Sequence, residues 1–288
     1  MFAGPQCTLL PDGRLHLNHG PIDLIVEAFG SQSEIYTAYD QATDKFSHVL
    51  DNLVRELEGL RQPVRIPFWV PSGSVARRMM DACWPHRGGF VTPMAAVAGA
   101  VADEVLAALI EGRDLQRAYV NNGGDIAFHL SPGATLTAGL VGDYHLPSID
   151  ATCELGHDQL ARGIATSGWK GRSFSFGIAD SVTVLAGTAA SADVVATLIA
   201  NAVTADDPAI ERAPASDLDP DSDLGNRLVT VAVGSLDEIT IKSALGSGVK
   251  AAKKMRRAGL ITAAVLVLQQ QFRTVGPVPA GLIEKNAA

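Results

Sequence analysis

Alternating apolar and polar residues predict short strands near the start of the chain. Residues 14–17 and 22–29 show this alternation, and turn signals at residues 11–13 and 20–21 bound them. Further along, residues 39–60 carry apolar side chains at spacings of three and four, which predicts one face of an amphipathic helix.

The rest of the chain mixes predicted helices and strands without a regular order. A helix of small residues is predicted over 94–110, and further helices over 192–203 and 237–258. Strands are predicted over 118–120, 125–130, 134–140, 164–167, 178–185, 228–233 and 261–268. Because strands and helices do not alternate as in a doubly wound sheet, we expect an α+β fold with mixed sheets and packed helices.

The chain length of 288 residues allows one large domain or two small ones, and we expect a single domain over residues 1–288. Residues 206–225 are rich in Asp, Pro and Ala, which predicts a solvated acidic loop. Residues 226–288 are then expected to form a C-terminal segment of strand, helix and strand.

Composition narrows the classes of partner. The chain has 23 Lys and Arg against 31 Asp and Glu, a net charge of −8, which argues against nucleic-acid and membrane partners. We find no apolar run long enough to span a membrane, the longest being residues 260–268, and no signal peptide at the N-terminus. The 3 cysteines form no CxxC pair and fit a reducing environment, so we expect a cytoplasmic protein.

Two segments combine glycine with polar side chains in predicted turns. Asn122, Gly123, Gly124 and Asp125 lie between two predicted strands, where backbone N–H groups can form an anion-binding nest. The alternative is a plain hairpin turn, for which Asn-Gly is a strong signal. In residues 165–168, two adjacent hydroxyls and a glycine can hold phosphate or ribose oxygens, or simply form a polar turn.

A carboxylate and a hydroxyl fall on one face of the predicted helix 192–203. Ser191 is its predicted N-cap, and Asp193 and Thr197 are four residues apart, so their oxygens project from the same face. Mg²⁺ prefers such oxygen ligands and takes only one or two carboxylates. The alternative is that Asp193 sits in the first turn only to complement the dipole of its own helix.

Taken in order, these segments resemble the ApbE superfamily, the FAD:protein FMN transferases. The resemblance covers residues 92–203, and its matching pieces are residues 94–105, 122–126, 165–168, 181–186 and 192–197. It implies an ApbE-like fold that binds FAD with Mg²⁺ held by Asp193 and Thr197. Asp180 is then a candidate base or second carboxylate. The nucleotide-binding residues that we expect are Asn122, Gly123, Gly124, Asp125, Thr166, Ser167 and Gly168.

The chain departs from the family at two strings. The family's Lys-containing string on the small-residue helix corresponds here to the uncharged Ala98, Gly99 and Ala100. Residues 171–177 stand where the family has a string with His and Pro. Lys170 or Arg172 is an alternative source of positive charge.

Several functions therefore stay open. The first is a Mg²⁺-dependent FMN transferase with a flavin-acceptor protein, or an FAD pyrophosphatase. The second is a non-catalytic protein that binds a nucleotide or another small molecule on the same fold. The third is an enzyme that acts on an unrelated substrate. Close packing of the small-residue helix also makes a homodimer one of the expected partners.

Overall fold

The computed structural model of the protein describes residues 4–67, 69–140 and 151–277. Its strands are β1 (Gln6–Leu9), β2 (Leu15–His19), β3 (Ile22–Gly30), β4 (Leu115–Asn122), β5 (Asp125–Leu130), β6 (Thr135–Leu140), β7 (Ala151–Gly156), β8 (Gly163–Ser167), β9 (Ser181–Ala186), β10 (Ile210–Pro214), β11 (Leu228–Val233), β12 (Ala263–Leu268) and β13 (Gln271–Val275). Its α-helices are α1 (Gln32–Ser47), α2 (Val49–Arg55), α3 (Leu57–Leu60), α4 (Ser74–Cys83), α5 (Val97–Ile110), α6 (Ala189–Ala202), α7 (Ala215–Leu218) and α8 (Glu238–Arg257). Short 3₁₀ turns cover Trp84–His86 and Pro93–Ala96.

The contacts of the chain divide it into two compact units. The first unit consists of Met1–Leu136, Gly156–Ala165 and Gly187–Val194. The second unit consists of Thr137–Leu155, Thr166–Ala186 and Val195–Ala288. The single domain expected from the sequence stays a prediction.

The first unit is built on antiparallel strands with one buried face. Strands β1 to β5 are neighbours in sequence order, and β8 begins beside β5 with Ile164 opposite Ile126. Every second residue of β2 is buried, as the alternation of the sequence predicts. Helices α1 and α5 pack against each other and against this sheet, and α4 packs against α5. The helix of small residues is thus a core element of the first unit.

The second unit contains strands in the order β9-β12-β13, all antiparallel. Every residue of β9 is buried, and α8 packs against β12 and β13. Strands β10 and β11 form a separate antiparallel pair, and so do β6 and β7.

The α+β class is confirmed, and several elements match the predicted bounds closely. Strands β5 and β11 begin and end at the predicted residues. The helix predicted over 39–60 is instead α1, α2 and α3, which begin earlier because Ser31 accepts a hydrogen bond from Glu34 N–H as an N-cap. Buried apolar residues continue from α1 through α2 and α3. Their spacing alone therefore does not reveal where one helix ends and the next begins.

The acidic segment 206–225 is not simply the loop that its composition predicts. It contains β10 and the short helix α7, and β10 pairs with β11 from Ile210 opposite Val233 onward. The strand depends on a partner later in the chain, so its own composition gives no signal. The C-terminal strand, helix and strand are present as β11, α8 and β12, and β13 follows them. Residues 278–288 of that segment lie outside the described residues.

The expectation that the chain has no apolar run of membrane-spanning length is wrong for one helical stretch. Within the described residues, Pro93–Ile110 is 18 residues long with a mean hydropathy of 1.7. Of this stretch, 67% is buried inside the protein. By length and composition it could cross a membrane, but such burial is equally that of a soluble core helix.

Close packing of α5 generates a test of the fold. A Cβ added at Gly99 would overlap the backbone carbonyl of Ala189, whereas one added at Gly246 of α8 meets nothing within 4 Å. We expect Gly99→Ala to lower the free energy of unfolding by about 2 kcal/mol. The control Gly246→Ala should raise it by up to about 1 kcal/mol, because alanine favours helix. Urea unfolding measures both, and equal effects would contradict the packing.

Candidate functional site

The N-terminus of α5 takes its cap from another helix. Ala96, at the N-cap position, has no side-chain acceptor to offer. Instead, the N–H of Gly99 in the first turn donates to Oδ2 of Asp193 on α6 at 3.0 Å. The backbone of Ala98 also hydrogen-bonds this carboxylate. Asp193 therefore supplies negative charge where the helix dipole of α5 is positive.

The N-terminus of α6 is capped in return by α5. The N–H groups of Ala189 and Ala190 donate to the two carboxylate oxygens of Asp103, each at 2.9 Å. Thr188 Oγ1 accepts from the N–H of Ser191 at 3.1 Å. Each helix thus gives a carboxylate to the first turn of the other. We call this pair, Asp103 and Asp193, the carboxylate clasp.

Burial makes both carboxylates of the clasp easier to protonate. Desolvation raises the pKa of Asp193 to about 7, against the opposing effect of the hydrogen bonds from Gly99 and Ala98. The negative charge of Asp103 adds to this rise. Desolvation likewise raises the pKa of Asp103, against the hydrogen bonds from Ala190 and Ala189. A cation beside either group would favour its ionised form.

The side chain of Asn122 also contacts the first turn of α5. Its buried side-chain amide donates from Nδ2 to the carbonyl oxygen of Ala98 at 3.1 Å. Two of the predicted site residues, Asn122 and Asp193, therefore converge on Ala98 and Gly99. This brings the small-residue helix, the Gly-Gly turn and the start of α6 together within the first unit.

The Gly-Gly turn is a two-residue hairpin between β4 and β5. Asn122 pairs with Asp125, and Gly123 and Gly124 have φ of 64° and 110°, which favour glycine. The N–H of Gly124 donates to Asn121 Oδ1 at 2.8 Å. The hairpin alternative is therefore observed, and a nucleotide-binding role for these residues stays a prediction.

The predicted hydroxyl residues make two separate contacts in the second unit. Thr166 Oγ1 and Thr183 Oγ1 are 2.8 Å apart, which joins β8 to β9. Thr197 Oγ1 donates to Ser167 Oγ at 3.4 Å. A Cβ at Gly168 would overlap the carbonyl of Asp180, so this glycine allows close packing. The structure thus brings Ser167 and Thr197 together, whereas Thr166 contacts Thr183, and the binding role of all three predicted residues stays a prediction.

Asp180 is held by several neighbours. Its Oδ1 lies 3.3 Å from Lys170 Nζ and accepts from Trp169 Nε1 at 3.3 Å. Its Oδ2 accepts from the N–H of Gln269 at 2.5 Å. The carboxylate therefore links three segments of the second unit, and its catalytic role stays a prediction.

The placement of Asp193 on its helix differs from the expectation. Helix α6 begins at Ala189 and Thr188 provides the side-chain cap, so Ser191 is not the N-cap and Asp193 lies in the second turn. The alternative that Asp193 complements its own helix dipole is also replaced, because its partner is the start of α5. Thr197 follows one turn later but belongs to the second unit, so joint metal binding stays a prediction.

The donors at Asp193 and Thr197 fit a hard divalent cation in kind. Among the residues that the structure describes, no Lys or Arg pairs with Asp193, and burial leaves its carboxylate poorly solvated. Across these residues there is also no group of three or more His, Cys, Asp and Glu that could hold a metal. A Mg²⁺ bound at Asp193 would thus take one carboxylate and complete its shell with oxygen ligands such as water and phosphate.

Sequence reasoning missed the adjacent pair Asp103 and Glu104. Glu104 is buried, and its Oε1 accepts from Ser74 Oγ at 2.5 Å and from Lys45 Nζ at 3.1 Å. Its Oε2 accepts from Arg78 Nε at 2.7 Å. It also lines a cleft of ≈ 300 Å³ in the first unit. The signal in the sequence is a pair of adjacent acidic residues in an otherwise apolar helix. Burying such charged side chains costs free energy unless they are paired.

Removal of Asp103 tests the carboxylate clasp. In Asp103→Ala the N–H groups of Ala189 and Ala190 lose their acceptors, so we expect the free energy of unfolding to fall by about 2–4 kcal/mol. Asp103→Asn keeps one acceptor oxygen and should lose roughly half of that. Urea unfolding at neutral pH measures both, and an unchanged stability of Asp103→Ala would contradict the clasp.

The pH dependence of stability tests Glu104. Burial alone would raise its pKa, but hydrogen bonds from Ser74, Arg78 and Lys45 outweigh this and hold the pKa below its ordinary value of 4.5. The carboxylate therefore stabilises the fold above about pH 4.5, and this contribution is lost as the pH falls through the folded-state pKa. We expect Glu104→Gln to cost about 2 kcal/mol at pH 7, and the difference from the native protein to vanish in acid. A difference that is constant with pH in urea unfolding would contradict this.

Relatives of known sequence are archaeal UPF0280 proteins. That of Methanothermobacter thermautotrophicus is 37% identical over 150 residues, which cover 49% of this chain and 53% of the relative. That of Methanothrix thermoacetophila is 36% identical over 151 residues, which cover 51% and 61%. The chain spans about half the length of the curated relatives that it matches.

Solved structures with a similar course of the chain are ApbE proteins. A variant of the flavin transferase ApbE from Vibrio cholerae matches with a TM-score of 0.42 and 14% identity over 91% of this chain and 96% of its own. The ApbE protein of Thermotoga maritima matches with a TM-score of 0.39 and 11% identity over 95% and 96%. Both likenesses are distant.

The family comparison also extends over most of the chain. The family described as "AbpE bacteria" matches residues 7–274, which is most of the chain. The resemblance to the ApbE superfamily seen in the sequence is thereby confirmed, and this protein belongs to the AbpE bacteria family.

Proposed function

We propose that this protein binds a flavin nucleotide, or a related nucleotide, together with Mg²⁺, and acts on the nucleotide's pyrophosphate. The observation that carries the proposal is the half-buried carboxylate of Asp193, which is held at the start of α5 without an ion-pair partner in the described residues. Membership of the family supports the nucleotide class, since the segments that resemble the FAD:protein FMN transferases lie within the matched residues 7–274.

In this proposal the residues around the site have separate tasks. Asp193 and Thr197 hold Mg²⁺, which supplies positive charge that offsets the negative charge of the phosphates. The N–H of Gly99 keeps the Asp193 carboxylate in place. Asn122 holds the same turn through the carbonyl of Ala98. The hydroxyls of Thr166 and Ser167 are donors for phosphate or ribose oxygens.

The proposed reaction is the transfer of FMN from FAD. A hydroxyl oxygen of an acceptor protein forms a bond to the FMN phosphorus, and the bond from that phosphorus to the oxygen of AMP breaks. AMP leaves with the electron pair, and Asp180 accepts the hydroxyl proton. With water in place of the acceptor hydroxyl, the same step yields free FMN and AMP.

A second candidate function is nucleotide binding without catalysis. Ala98, Gly99 and Ala100 carry no positive charge where the family has its Lys-containing string. Gly99 also cannot carry a longer side chain, because even a Cβ would overlap the carbonyl of Ala189. The positive charge at this turn then comes from the N-terminal end of the α5 dipole instead of a lysine side chain, and it faces Asp193.

Nucleotide binding and turnover separate these functions. We expect FAD with Mg²⁺ to raise the melting temperature and to yield AMP and FMN, which chromatography detects. Binding without AMP would assign the second function, and no response to FAD, ADP or Mg²⁺ would contradict both.

Two substitutions test the role of Asp193 and Thr197. Asp193→Asn keeps an acceptor for the Gly99 N–H but loses the charge, so we expect it to fold and to bind Mg²⁺ at least about tenfold more weakly. Thr197→Val should weaken Mg²⁺ binding in the same direction. Asp81→Ala, which changes an exposed carboxylate on α4, is the matched control and should bind as the native protein does. Unchanged Mg²⁺ titration of Asp193→Asn in calorimetry would contradict the assignment.

A further inference from the structure

Helix α8 presents one exposed basic stripe. Residues at spacings of three and four along its outer face are all exposed, and we call them the α8 stripe: Ile239, Lys242, Gly246, Lys250, Lys253 and Arg257. At a rise of about 1.5 Å per residue the stripe is roughly 27 Å long. The opposite face of the helix is buried and packs against β12 and β13. The outer face is therefore fixed in position and turned to solvent.

The charge of this region differs sharply from that of the rest of the chain. Residues 239–277 contain 7 Lys and Arg and no Asp or Glu, so the net charge of −8 leaves −15 for all other residues. In the described part of the chain Lys242 pairs with Glu238 at 2.9 Å, while Lys250, Lys253 and Arg257 have no ion-pair partner. Three cations of the stripe are thus free to bind an anionic partner.

The same unit contains a segment of opposite charge. Residues 206–225 include 7 Asp and Glu and 1 Arg. Asp217 and Asp219 in this segment are exposed, and Leu218 between them is 46% exposed. Among the ion pairs of the described residues, none joins this segment to α8. Ile239 of the stripe is 80% exposed, so both surfaces combine charge with an aliphatic side chain.

We propose that the α8 stripe docks against the acidic segment 206–225 of a second copy of this chain. Lys250, Lys253 and Arg257 face the carboxylates of Asp217 and Asp219, and the aliphatic side chains provide the apolar contact within a polar rim. A two-fold pair makes this contact twice, since each copy gives one acidic segment and receives the other. The proposal does not depend on the nucleotide chemistry.

The charge distribution favours a second copy over a long polyanion. A nucleic acid or an anionic membrane extends well beyond a stripe of roughly 27 Å, and its further charges would be repelled by the −15 carried elsewhere. Insertion into a bilayer is also disfavoured, because the apolar face of α8 is already buried against its own sheet. A second copy of this chain instead offers a short acidic segment that carries 7 Asp and Glu against 1 Arg.

Charge reversal with complementation tests this interface. The native protein should form dimers in sedimentation equilibrium at about 0.05 M salt. These dimers should dissociate near 1 M salt, where the Debye screening length falls to about 3 Å. Lys250→Glu with Lys253→Glu should raise the dimer dissociation constant at least about tenfold, because like charges then meet. Asp217→Lys with Asp219→Lys should do the same. An equimolar mixture of the two variants should recover dimers, since each reversed surface meets its complement.

The control reverses two exposed arginines of the first unit, Arg55→Glu with Arg77→Glu, which changes the net charge by the same amount as the α8 variant. It should dimerise as the native protein does. Circular dichroism checks that each variant is folded. A monomeric native protein, a control that dissociates equally, or a mixture that stays monomeric would each overturn the proposal. Binding of the stripe to a DNA duplex or to anionic vesicles by a monomeric protein would assign it to a polyanion instead.

Discussion

The two helix starts that face each other across the carboxylate clasp impose the main constraint on the first unit. A helix start leaves backbone N–H groups without partners, and burial makes this expensive. Here α5 has no cap of its own, and the first N–H groups of α6 need acceptors beyond Thr188. Asp193 and Asp103 meet these needs from the opposite helix. The clasp requires the helices to approach closely, which explains why Gly99 has no room for a side chain.

The clasp also changes how the departure from the family is understood. The position of the family's lysine string is occupied by small residues whose backbone N–H groups, rather than a side-chain cation, meet Asp193. A partial positive charge at a helix start is weaker than a full cation, which fits the raised pKa of Asp193. The carboxylate is thus oriented by the backbone but not neutralised by it, and a bound cation would complete its surroundings.

Local sequence patterns predicted those parts of the structure that depend on local physics. The bounds of β5 and β11 were predicted correctly because each strand is a short, largely apolar segment with turn residues on both sides. Strand β10 escaped prediction because its pairing partner lies later in the chain. The contact between Gly99 and Asp193 joins residues 94 positions apart, and no pattern within one sequence signals such a pair. Asp193 was found through its spacing from Thr197 and then through a resemblance, while Asp103 was visible only as an acidic residue in an apolar helix.

Capping of α5 by Asp193 is compatible with the metal binding that we propose for the same carboxylate. An ionised carboxylate has two oxygens with about four lone-pair directions, and N–H groups from Gly99 and Ala98 use only part of them. The hydrogen bonds fix the direction of the group before any ligand arrives, so less entropy is lost on binding. The same bonds link ligand binding to the packing of α5 on α6. A cation held by Asp193 would therefore strengthen the clasp, and the stability of the first unit would report on occupancy of the site.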